Sequence, residues 1–336
     1  MKAVIMAGGF GTRIQPLTSS MPKPMIPLFN RPIMVHIVEL LKKYDITDLV
    51  MLLYHQPDMI KKFFRDGSDF GVKITYVTPL EDMGTAGAVK AAEKYLDSRF
   101  LVISGDLLTD FNLKKVIDFH DEAKALATIT LTSVKDPLQF GVVITDKDKR
   151  ITQFLEKPGW GEVFSDTINT GIYVLEPEIL SYIPKGENFD FSQDLFPLLL
   201  KNSDPLYGYP AKGYWRDIGN TDSYREAYHD IYKGRINLRI DEEKQDYVGK
   251  DLRLGSDVTL EDPTGLSGTV VIGDNSQIRG AAQIKDSVIG RNCTIEPGVR
   301  LSRCVLWDNA YVKKGAKISD SVICVNVRVG QGAVLD

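Results

Sequence analysis

The first two thirds of the chain alternate short apolar runs with segments whose apolar residues recur at helical spacing. Continuous or alternating apolar runs indicate strands, and recurrence every three to four residues indicates helices. Strands separated by helices form right-handed βαβ units, which build a Rossmann-like, mostly parallel sheet. The predicted strands are 3–7, 49–53, 73–77, 100–104, 128–134, a strand beginning at 140–143, and 151–155; the predicted helices are 33–44, 59–64, 85–95 and 223–232.

The last part of the chain follows a different period. Leu254, Ile272, Ile289, Leu306 and Ile323 are spaced by 18, 17, 17 and 17 residues, and each interval divides into steps of five or six. One inward aliphatic residue from each of three short strands per coil describes a parallel β-helix. The charged, aperiodic stretch 236–253 is interpreted as a linker between domains 1–235 and 254–336. The steps land on fifteen aliphatic residues, at 254, 260, 266, 272, 278, 284, 289, 295, 301, 306, 312, 318, 323, 329 and 335.

Charge and cysteine content narrow the function classes. Among 336 residues, 41 Lys and Arg stand against 45 Asp and Glu, so we expect no broad basic field for nucleic acid. Cys293, Cys304 and Cys324 match no zinc spacing, and we expect reduced, buried thiols in a cytoplasmic protein. No stretch approaches the length of a membrane span, and the first apolar run is too short for a signal peptide.

Candidate chemistry begins where the first predicted strand ends. Three glycines within 8–11 would let several backbone N–H groups approach one ligand. Such a loop suits phosphate, and Arg13 and Lys23 add two cations. A Walker A motif would require Gly-Lys-Ser/Thr where the chain has Gly-Thr-Arg, and a dinucleotide fingerprint would require glycine in place of Ile14. An ordinary strand-to-helix turn is the structural alternative.

The residues of this region form a specific signature. The chain reads Gly8-Gly9-Phe10-Gly11-Thr12-Arg13, then Pro16-Leu17-Thr18, then Pro22-Lys23-Pro24. The pattern resembles that of nucleoside-diphosphate-sugar pyrophosphorylases, also called sugar-1-phosphate nucleotidyltransferases. This resemblance covers residues 1 to about 232 and implies an enzyme that joins a sugar 1-phosphate to a nucleoside triphosphate with Mg²⁺ and releases pyrophosphate. In the repeat, glycines at 255, 273, 290 and 330 resemble the left-handed type of β-helix.

The resemblance also implies roles for individual residues. Ligands of parallel sheets bind at the carboxyl ends of the strands, which puts the glycine loop, Gly84-Thr85-Ala86 and Asp106 along one edge. The implied roles are catalysis by Arg13, Lys23, Asp106 and Asp217; Mg²⁺ binding by Asp106 and Asp217; nucleotide binding by Ala7, Gly8, Gly9, Gly11, Thr12, Glu81, Gly84 and Thr85; and sugar-phosphate binding by Gly141, Glu156, Lys157, Asn169 and Gly171.

The segment 81–87 bears on the choice of nucleobase. Its small residues would let a flat base lie against the backbone, and the structural alternative is a helix capped by Thr85 whose small residues serve packing. The segment is similar to that of purine-using members of the family. Glu81 is a candidate for guanine recognition, because a carboxylate can accept from both N1–H and the 2-amino group. The resemblance therefore favours GTP with mannose 1-phosphate and leaves glucose 1-phosphate with ATP, UTP or dTTP open.

Two other function classes fit the sequence less well. Acyltransferases with a hexapeptide β-helix generally use a histidine of that domain, but the four histidines all precede residue 254. A regulatory subunit that only binds nucleotide sugars would be expected to have lost a cationic or metal position, and none is lost. The aliphatic ladder runs to Leu335 without a polar cap. We therefore expect a homo-oligomer formed through 254–336, or a fused downstream domain in a longer protein.

Overall fold

The computed structural model describes residues 1–163, 165–247 and 250–336. These residues form two compact units. The N-terminal unit comprises Met1–Met25 and Ile33–Ser223, and the C-terminal unit comprises Ile26–Pro32 and Tyr224–Asp336. Within the described ranges, no helix is long and apolar enough to cross a membrane.

Six α-helices and 27 strands are formed by the described residues. The helices are α1 (Ile33–Lys43), α2 (Pro57–Phe64), α3 (Gly84–Ala91), α4 (Leu113–Ala123), α5 (Phe196–Lys201) and α6 (Thr221–Tyr232). The strands up to α6 are β1 (Lys2–Ala7), β2 (Pro27–Leu28), β3 (Arg31–Pro32), β4 (Asp48–Leu53), β5 (Lys73–Val77), β6 (Phe100–Ser104), β7 (Leu107–Thr109), β8 (Ala127–Ser133), β9 (Gly141–Thr145), β10 (Ile151–Glu156), β11 (Thr167–Leu175), β12 (Leu206–Pro210) and β13 (Trp215–Asp217). The strands after α6 are β14 (Glu243–Tyr247), β15 (Lys250–Leu254), β16 (Thr259–Leu260), β17 (Leu266–Ile272), β18 (Gln277–Ile278), β19 (Gln283–Ile289), β20 (Thr294–Ile295), β21 (Arg300–Ser302), β22 (Val305–Leu306), β23 (Tyr311–Val312), β24 (Lys317–Ser319), β25 (Val322–Ile323), β26 (Arg328–Val329) and β27 (Val334–Leu335).

The N-terminal unit is built on one large sheet. Its strand order is β10-β9-β11-β6-β1-β4-β5, and β8 and β12 join it through β11. The four strands β6, β1, β4 and β5 are parallel, whereas β11 runs antiparallel to β6, β8 and β9. The central strands are continuous apolar runs because α1 and α2 cover one face and α3 and α5 cover the other. The predicted α/β fold with a parallel central sheet is confirmed.

The carboxyl ends of the central strands meet at one edge of this sheet. The register pairs Ala7 at the end of β1 with Leu53 at the end of β4, and β6 ends beside them. A short antiparallel pair, β7 with β13, sets Asp217 opposite Leu107, the residue after Asp106. Two carboxylates far apart in the sequence are thereby brought to the same sheet edge.

The C-terminal unit contains the predicted β-helix. Strands of successive coils pair in parallel, and the register aligns positions 254, 272, 289, 306 and 323 in one column. Twelve of the fifteen predicted inward residues are buried, from Leu266 to Val329. At one corner of the coils, asparagines at 275, 292, 309 and 326 have φ between 53° and 63°. Asparagine tolerates this left-handed conformation better than most residues, so the sharp turns recur without strain.

The interpretation of 236–253 as a linker is wrong for its second half. β14 pairs antiparallel with β15, and β15 pairs in parallel with β17 as part of the first coil. Leu252 is buried in the core of the β-helix. A strand at the start of a β-helix needs apolar residues on only one side. The charged residues on the other side therefore hide the apolar pattern by which strands are predicted.

A hairpin and a helix also belong to the C-terminal unit. The hairpin of β2 and β3 and most of α6 pack in this unit rather than with the sheet. Phe29 stacks on Tyr228 with ring centroids 5.0 Å apart. The buried Tyr224 hydroxyl donates to the carbonyl of Pro27 and accepts a 3.0 Å hydrogen bond from Nε1 of Trp307. Residues remote in the sequence therefore form the core of this unit together with the β-helix.

Candidate active site

The glycine loop after β1 is held in place by its own motif. Gly11 has φ 66°, and a Cβ at this position would lie 2.8 Å from Cγ2 of Thr18. The Thr18 hydroxyl donates a 2.9 Å hydrogen bond to the carbonyl of Gly11. Glycine is required here because another side chain would be strained and would collide with this threonine. Thr12 and Arg13 follow the loop with exposed side chains.

A buried lysine joins two carboxylates at the edge of the sheet. Lys23 is 8% exposed, and its Nζ contacts Oδ2 of Asp106 and lies 3.6 Å from Oδ1 of Asp217. Burial alone lowers the pKa of Lys23, but the two carboxylates outweigh it and raise that pKa above its ordinary value. Burial and the charge of Asp106 raise the pKa of Asp217, although Lys23 and Arg13 act in the opposite direction. The cluster is thus tightly coupled electrostatically.

A cavity of about 290 Å³ opens beside the glycine loop. The loop, the end of β4 and the segment between β5 and α3 form its walls, and Asp106 lies at its junction with the ion cluster. Pro79, Met83 and Tyr54 provide apolar surface, and Glu81 is exposed at the wall. The arrangement suits a flat, partly polar ligand attached to an anion. The predicted nucleotide-binding residues that line it are Ala7, Gly8, Gly9, Glu81, Gly84 and Thr85.

Thr85 connects this cavity to a segment distant in the sequence. Its hydroxyl donates to Oδ2 of Asp190 at 2.8 Å and accepts from the backbone N–H of Phe191 at 2.9 Å. Thr85 therefore does not cap its own helix, which begins without a side-chain cap. A Cβ on Gly84 would lie 2.7 Å from the carbonyl of Phe189, and one on Gly87 would lie 2.6 Å from that of Glu187. The small residues of this segment thus admit a neighbouring backbone, in agreement with the packing alternative.

A second cavity of about 190 Å³ adjoins the first and shares Ser104 and Asp106 with it. Trp215 offers an aromatic surface to this cavity. Its Nε1 donates a 3.0 Å hydrogen bond to the carbonyl of Thr170, and its ring contacts Phe140 edge to face. Polar groups opposite an aromatic ring are typical of sites for sugars and other polyols. The predicted residues that line this cavity are Asp106, Gly141, Glu156, Asn169, Gly171 and Asp217.

Asn169 organises the second cavity rather than presenting free donors to it. Its amide nitrogen donates to the hydroxyls of Tyr173 and Ser192 at 3.0 and 3.3 Å, and its Oδ1 accepts from the N–H of Gly171 at 3.0 Å. Both amide hydrogens are engaged. Asn169 therefore positions Ser192, which also lines the cavity, and a contact between Asn169 and a ligand stays a prediction.

Glu156 and Lys157 differ in environment. Burial raises the pKa of Glu156, Asp190 raises it further, and Lys157 opposes both. Lys157 has φ 45° and a side chain that is 59% exposed, with Nζ 3.5 Å from Oε1 of Glu156. An exposed cation beside an acceptor that lines the cavity could serve the phosphate and the hydroxyls of a sugar phosphate.

The carboxylates of Asp106 and Asp217 fit a divalent cation bound together with a ligand. Both converge on one cation, the Lys23 ammonium, and both supply oxygen donors. Within the described part of the chain, no group of three or more His, Cys, Asp or Glu could hold a metal by itself. Mg²⁺ commonly takes only one or two carboxylates and completes its shell with phosphate oxygens and water. The donor set suits Mg²⁺ with a nucleotide and does not form a closed metal cage.

Most of the predicted site residues thus line two cavities that meet at Asp106. Gly11, Thr12, Arg13, Lys23 and Lys157 line neither cavity, although Lys23 bonds to Asp106. Tyr54, Asp190, Ser192 and Trp215 line them without having been predicted. Asp190 could have been recognised in the sequence as a helix-capping residue. It caps the helical turn of 191–195 by accepting from the N–H groups of residues 192 and 193.

The chain is similar to several known proteins. A family described as nucleotidyl transferase matches residues 2–234, and one described as the LbH domain of EIF2B subunit epsilon matches residues 250–336. The UTP–glucose-1-phosphate uridylyltransferase of Synechocystis is 34% identical over 332 residues, 90% of this chain and 86% of that protein. The mannose-1-phosphate guanylyltransferase of Mycobacterium tuberculosis is 32% identical over 302 residues, 89% of this chain and 77% of that protein.

The chain belongs to the sugar-1-phosphate nucleotidyltransferases. Among solved structures, HddC from Yersinia pseudotuberculosis complexed with GMP-PN is similar, with a TM-score of 0.59 and 28% identity over 68% of this chain and 99% of that one. Nucleotidyltransferases of this family generally use a divalent metal, and a nucleoside triphosphate and a sugar 1-phosphate are substrates that fit the family. The LbH match confirms the left-handed β-helix of this nucleotidyltransferase.

Proposed function

We propose that this nucleotidyltransferase forms GDP-mannose and pyrophosphate from GTP and mannose 1-phosphate. The observation that carries the proposal is the junction of two cavities at Asp106, one beside the glycine loop and one beside Glu156 and Trp215. A nucleotide in the first and a sugar phosphate in the second would bring the attacking phosphate oxygen to the α-phosphorus at this junction. Holding two reactants in register in this way supplies a large part of the catalysis.

The side chains would have two kinds of role: stabilisation of developing charge and positioning of the substrates. Arg13 would stabilise the charge that develops on the leaving pyrophosphate, and Lys23 would hold the triphosphate. Lys157 would orient the sugar phosphate, while Glu156 accepts from sugar hydroxyls. The attacking phosphate is already ionised near neutral pH, so no side chain has to remove a proton. Mg²⁺, held by Asp106 and Asp217 when bound, would make the α-phosphorus more electrophilic.

The choice of nucleotide rests on Glu81 and on the named relatives. Glu81 lines the first cavity with an exposed carboxylate, which can accept from both N1–H and the 2-amino group of guanine. A guanylyltransferase among the relatives and a similar structure with GMP-PN support GTP. Glucose 1-phosphate with UTP is the second candidate, because a uridylyltransferase is 34% identical over 90% of this chain.

A substrate panel tests this proposal directly. Four nucleoside triphosphates would each be combined with mannose, glucose and galactose 1-phosphates, with pyrophosphate release as the readout. We expect the highest kcat/KM for GTP with mannose 1-phosphate, and Glu81→Gln should reduce the preference for GTP over ATP. Chelation should abolish turnover, and with nucleotide present Asp106→Asn and Asp217→Asn should each raise the Mg²⁺ concentration needed. A preference for UTP with glucose 1-phosphate would establish the second candidate instead.

We also propose a homo-oligomer formed partly through residues 254–336, in the cytoplasm. Val327, Val334 and Leu335 are apolar side chains of the β-helix that are 38%, 68% and 39% exposed, and a second copy would bury them. Free thiols at 293, 304 and 324 suit a reducing compartment. Light scattering should give a mass above 37.5 kDa, and Val334→Asp with Leu335→Asp should lower it. A monomeric wild type at micromolar concentration would contradict the oligomer.

A further inference from the structure

The ion cluster at the sheet edge is electrically balanced without a metal. Lys23 contributes one positive charge and contacts Asp106 and Asp217, which contribute two negative charges. Arg13 lies close enough to influence the pKa values of both Lys23 and Asp217, and it adds a second positive charge. The four side chains therefore sum to about zero. A site of this kind offers a free divalent cation little electrostatic attraction.

The Lys23 ammonium also stands where a cation would have to bind. Its nitrogen contacts one carboxylate and lies 3.6 Å from the other. Mg²⁺ binds carboxylate oxygens at about 2.0–2.1 Å, so a cation shared by both groups would fall within a few ångströms of this nitrogen. A divalent ion and a buried ammonium at that separation repel each other strongly, because Lys23 is only 8% exposed and water screens the charges poorly.

We propose that Lys23 holds the two carboxylates as an internal counter-ion in the free enzyme and is displaced toward the triphosphate when metal and nucleotide bind together. This inference rests on the proposed function for the identity of the nucleotide. In the free enzyme Lys23 keeps Asp106 and Asp217 oriented and excludes metal. The triphosphate provides a stronger anionic partner for Lys23 and releases both carboxylates to the cation. Since coupling is reciprocal, metal and nucleotide each strengthen the binding of the other.

Direct binding of Mn²⁺ to the free enzyme tests this exchange without any turnover. Free Mn²⁺ is counted by electron paramagnetic resonance in the absence of nucleotide. We expect weak binding by the wild type and binding roughly tenfold tighter or more by Lys23→Gln and Lys23→Met, because each removes the buried cation that contacts both carboxylates. Lys114→Gln is the matched control, since Lys114 is an exposed lysine that pairs with Asp118. It removes the same charge and should bind Mn²⁺ as the wild type does.

Two further variants locate the bound ion. In the Lys23→Gln background, Asp106→Asn should abolish the gain in Mn²⁺ binding. In the otherwise wild-type enzyme, Asp106→Asn should change the affinity for Mn²⁺ less than twofold, because Lys23 is already paired with the Asp106 carboxylate. This comparison applies even if the Lys23 variants fail to fold. Tight Mn²⁺ binding by the free wild type that is lost in Asp106→Asn would overturn the proposal. If the substrate panel fails while Lys23→Gln gains Mn²⁺ binding, the proposed reaction is wrong and the exchange stands.

Discussion

Arg13 and Lys23 are cations of the same signature in opposite environments. Lys23 is buried against two carboxylates, whereas Arg13 is exposed at the end of the glycine loop. The sequence signature does not distinguish the two residues. The burial of Lys23 depends on how residues 23–25 pack in the folded chain. A change at Lys23 removes a buried ion pair, whereas a change at Arg13 removes an exposed charge that acts on the cluster from the surface.

Arg13→Ala should therefore separate catalysis from stability. The side chain is exposed, so its loss leaves no cavity and the melting temperature should stay close to that of the wild type. Loss of one positioned charge at a reacting phosphate typically lowers kcat about 10²–10³-fold. Steady-state kinetics at saturating substrate measure the change, with Arg65→Ala, an exposed arginine of α2's C-terminal cap, as the control. Unchanged kcat would remove Arg13 from the catalytic set.

The environment of Glu156 predicts a pH dependence of sugar binding. Burial and Asp190 raise its pKa, so as pH falls this carboxylate takes up a proton earlier than an ordinary glutamate. The protonated form accepts fewer hydrogen bonds, and KM for the sugar phosphate should rise as pH drops through that raised pKa. Glu156→Gln should have a high KM at every pH and should lose the dependence assigned to this group. An identical profile in wild type and variant would show that another group titrates.

At the scale of elements, α3 and the segment 187–192 form one clamp. Glycines at 84 and 87 allow backbone contact, and Thr85 ties Asp190 and Phe191 to α3. Asp190 lines the first cavity and Ser192 lines the second. The Thr85 hydroxyl, together with backbone hydrogen bonds between Phe189 and residues 83, 86 and 87, therefore connects a wall of the first cavity to a wall of the second.

Thr85→Val should show that this hydroxyl matters to both cavities. Valine preserves the shape but leaves the N–H of Phe191 without its partner, at an expected cost of about 1–3 kcal/mol in the free energy of unfolding. KM for both substrates should rise because residues 190–192 lose a fixed position. Thr152→Val, at an exposed threonine of β10 whose hydroxyl bonds to the carbonyl of Ile144, is the control. If only one KM changes, the clamp does not couple the cavities.

At the scale of the whole molecule, the division of the chain changes what truncation should do. The predicted boundaries give a first domain of 1–235 and a β-helix of 254–336. The structure does not divide there, because Ile26–Pro32 and α6 from Tyr224 onward belong to the unit of the β-helix. Removal of 254–336 would take away Trp307 and expose aromatic residues now buried.

Trp307→Phe tests this dependence by a smaller change. The indole N–H donates to the hydroxyl of Tyr224, and its loss together with the smaller ring should lower the free energy of unfolding by about 1–3 kcal/mol. The truncated chain 1–253 should aggregate or unfold at a lower temperature than the full chain. Calorimetry measures both, with Tyr311→Phe in a half-buried β-helix tyrosine as the control. A truncated chain as stable as the full one would show that 26–32 and α6 need no partner.

The sequence by itself determined the elements of the parallel part of the sheet, the repeat and the family signature, whereas α4, α5, β11 and β12 were not predicted. Apolar runs such as 49–53 and the steps of the β-helix ladder are local patterns, and local periodicity reports directly which side chains face a core. The glycine loop and the carboxylates at strand ends could also be predicted, because parallel strands deliver their carboxyl ends to one edge.

Only the tertiary structure decided how distant residues combine. Lys23 sits between Asp106 and Asp217, Thr85 bonds to Asp190, and Ile26–Pro32 joins the β-helix unit across more than 190 residues of sequence. These contacts carry no local signal, because each depends on the register of paired strands and on the packing of segments that are independent in the sequence. The sequence determines which groups are available for chemistry, and long-range packing determines which of them meet.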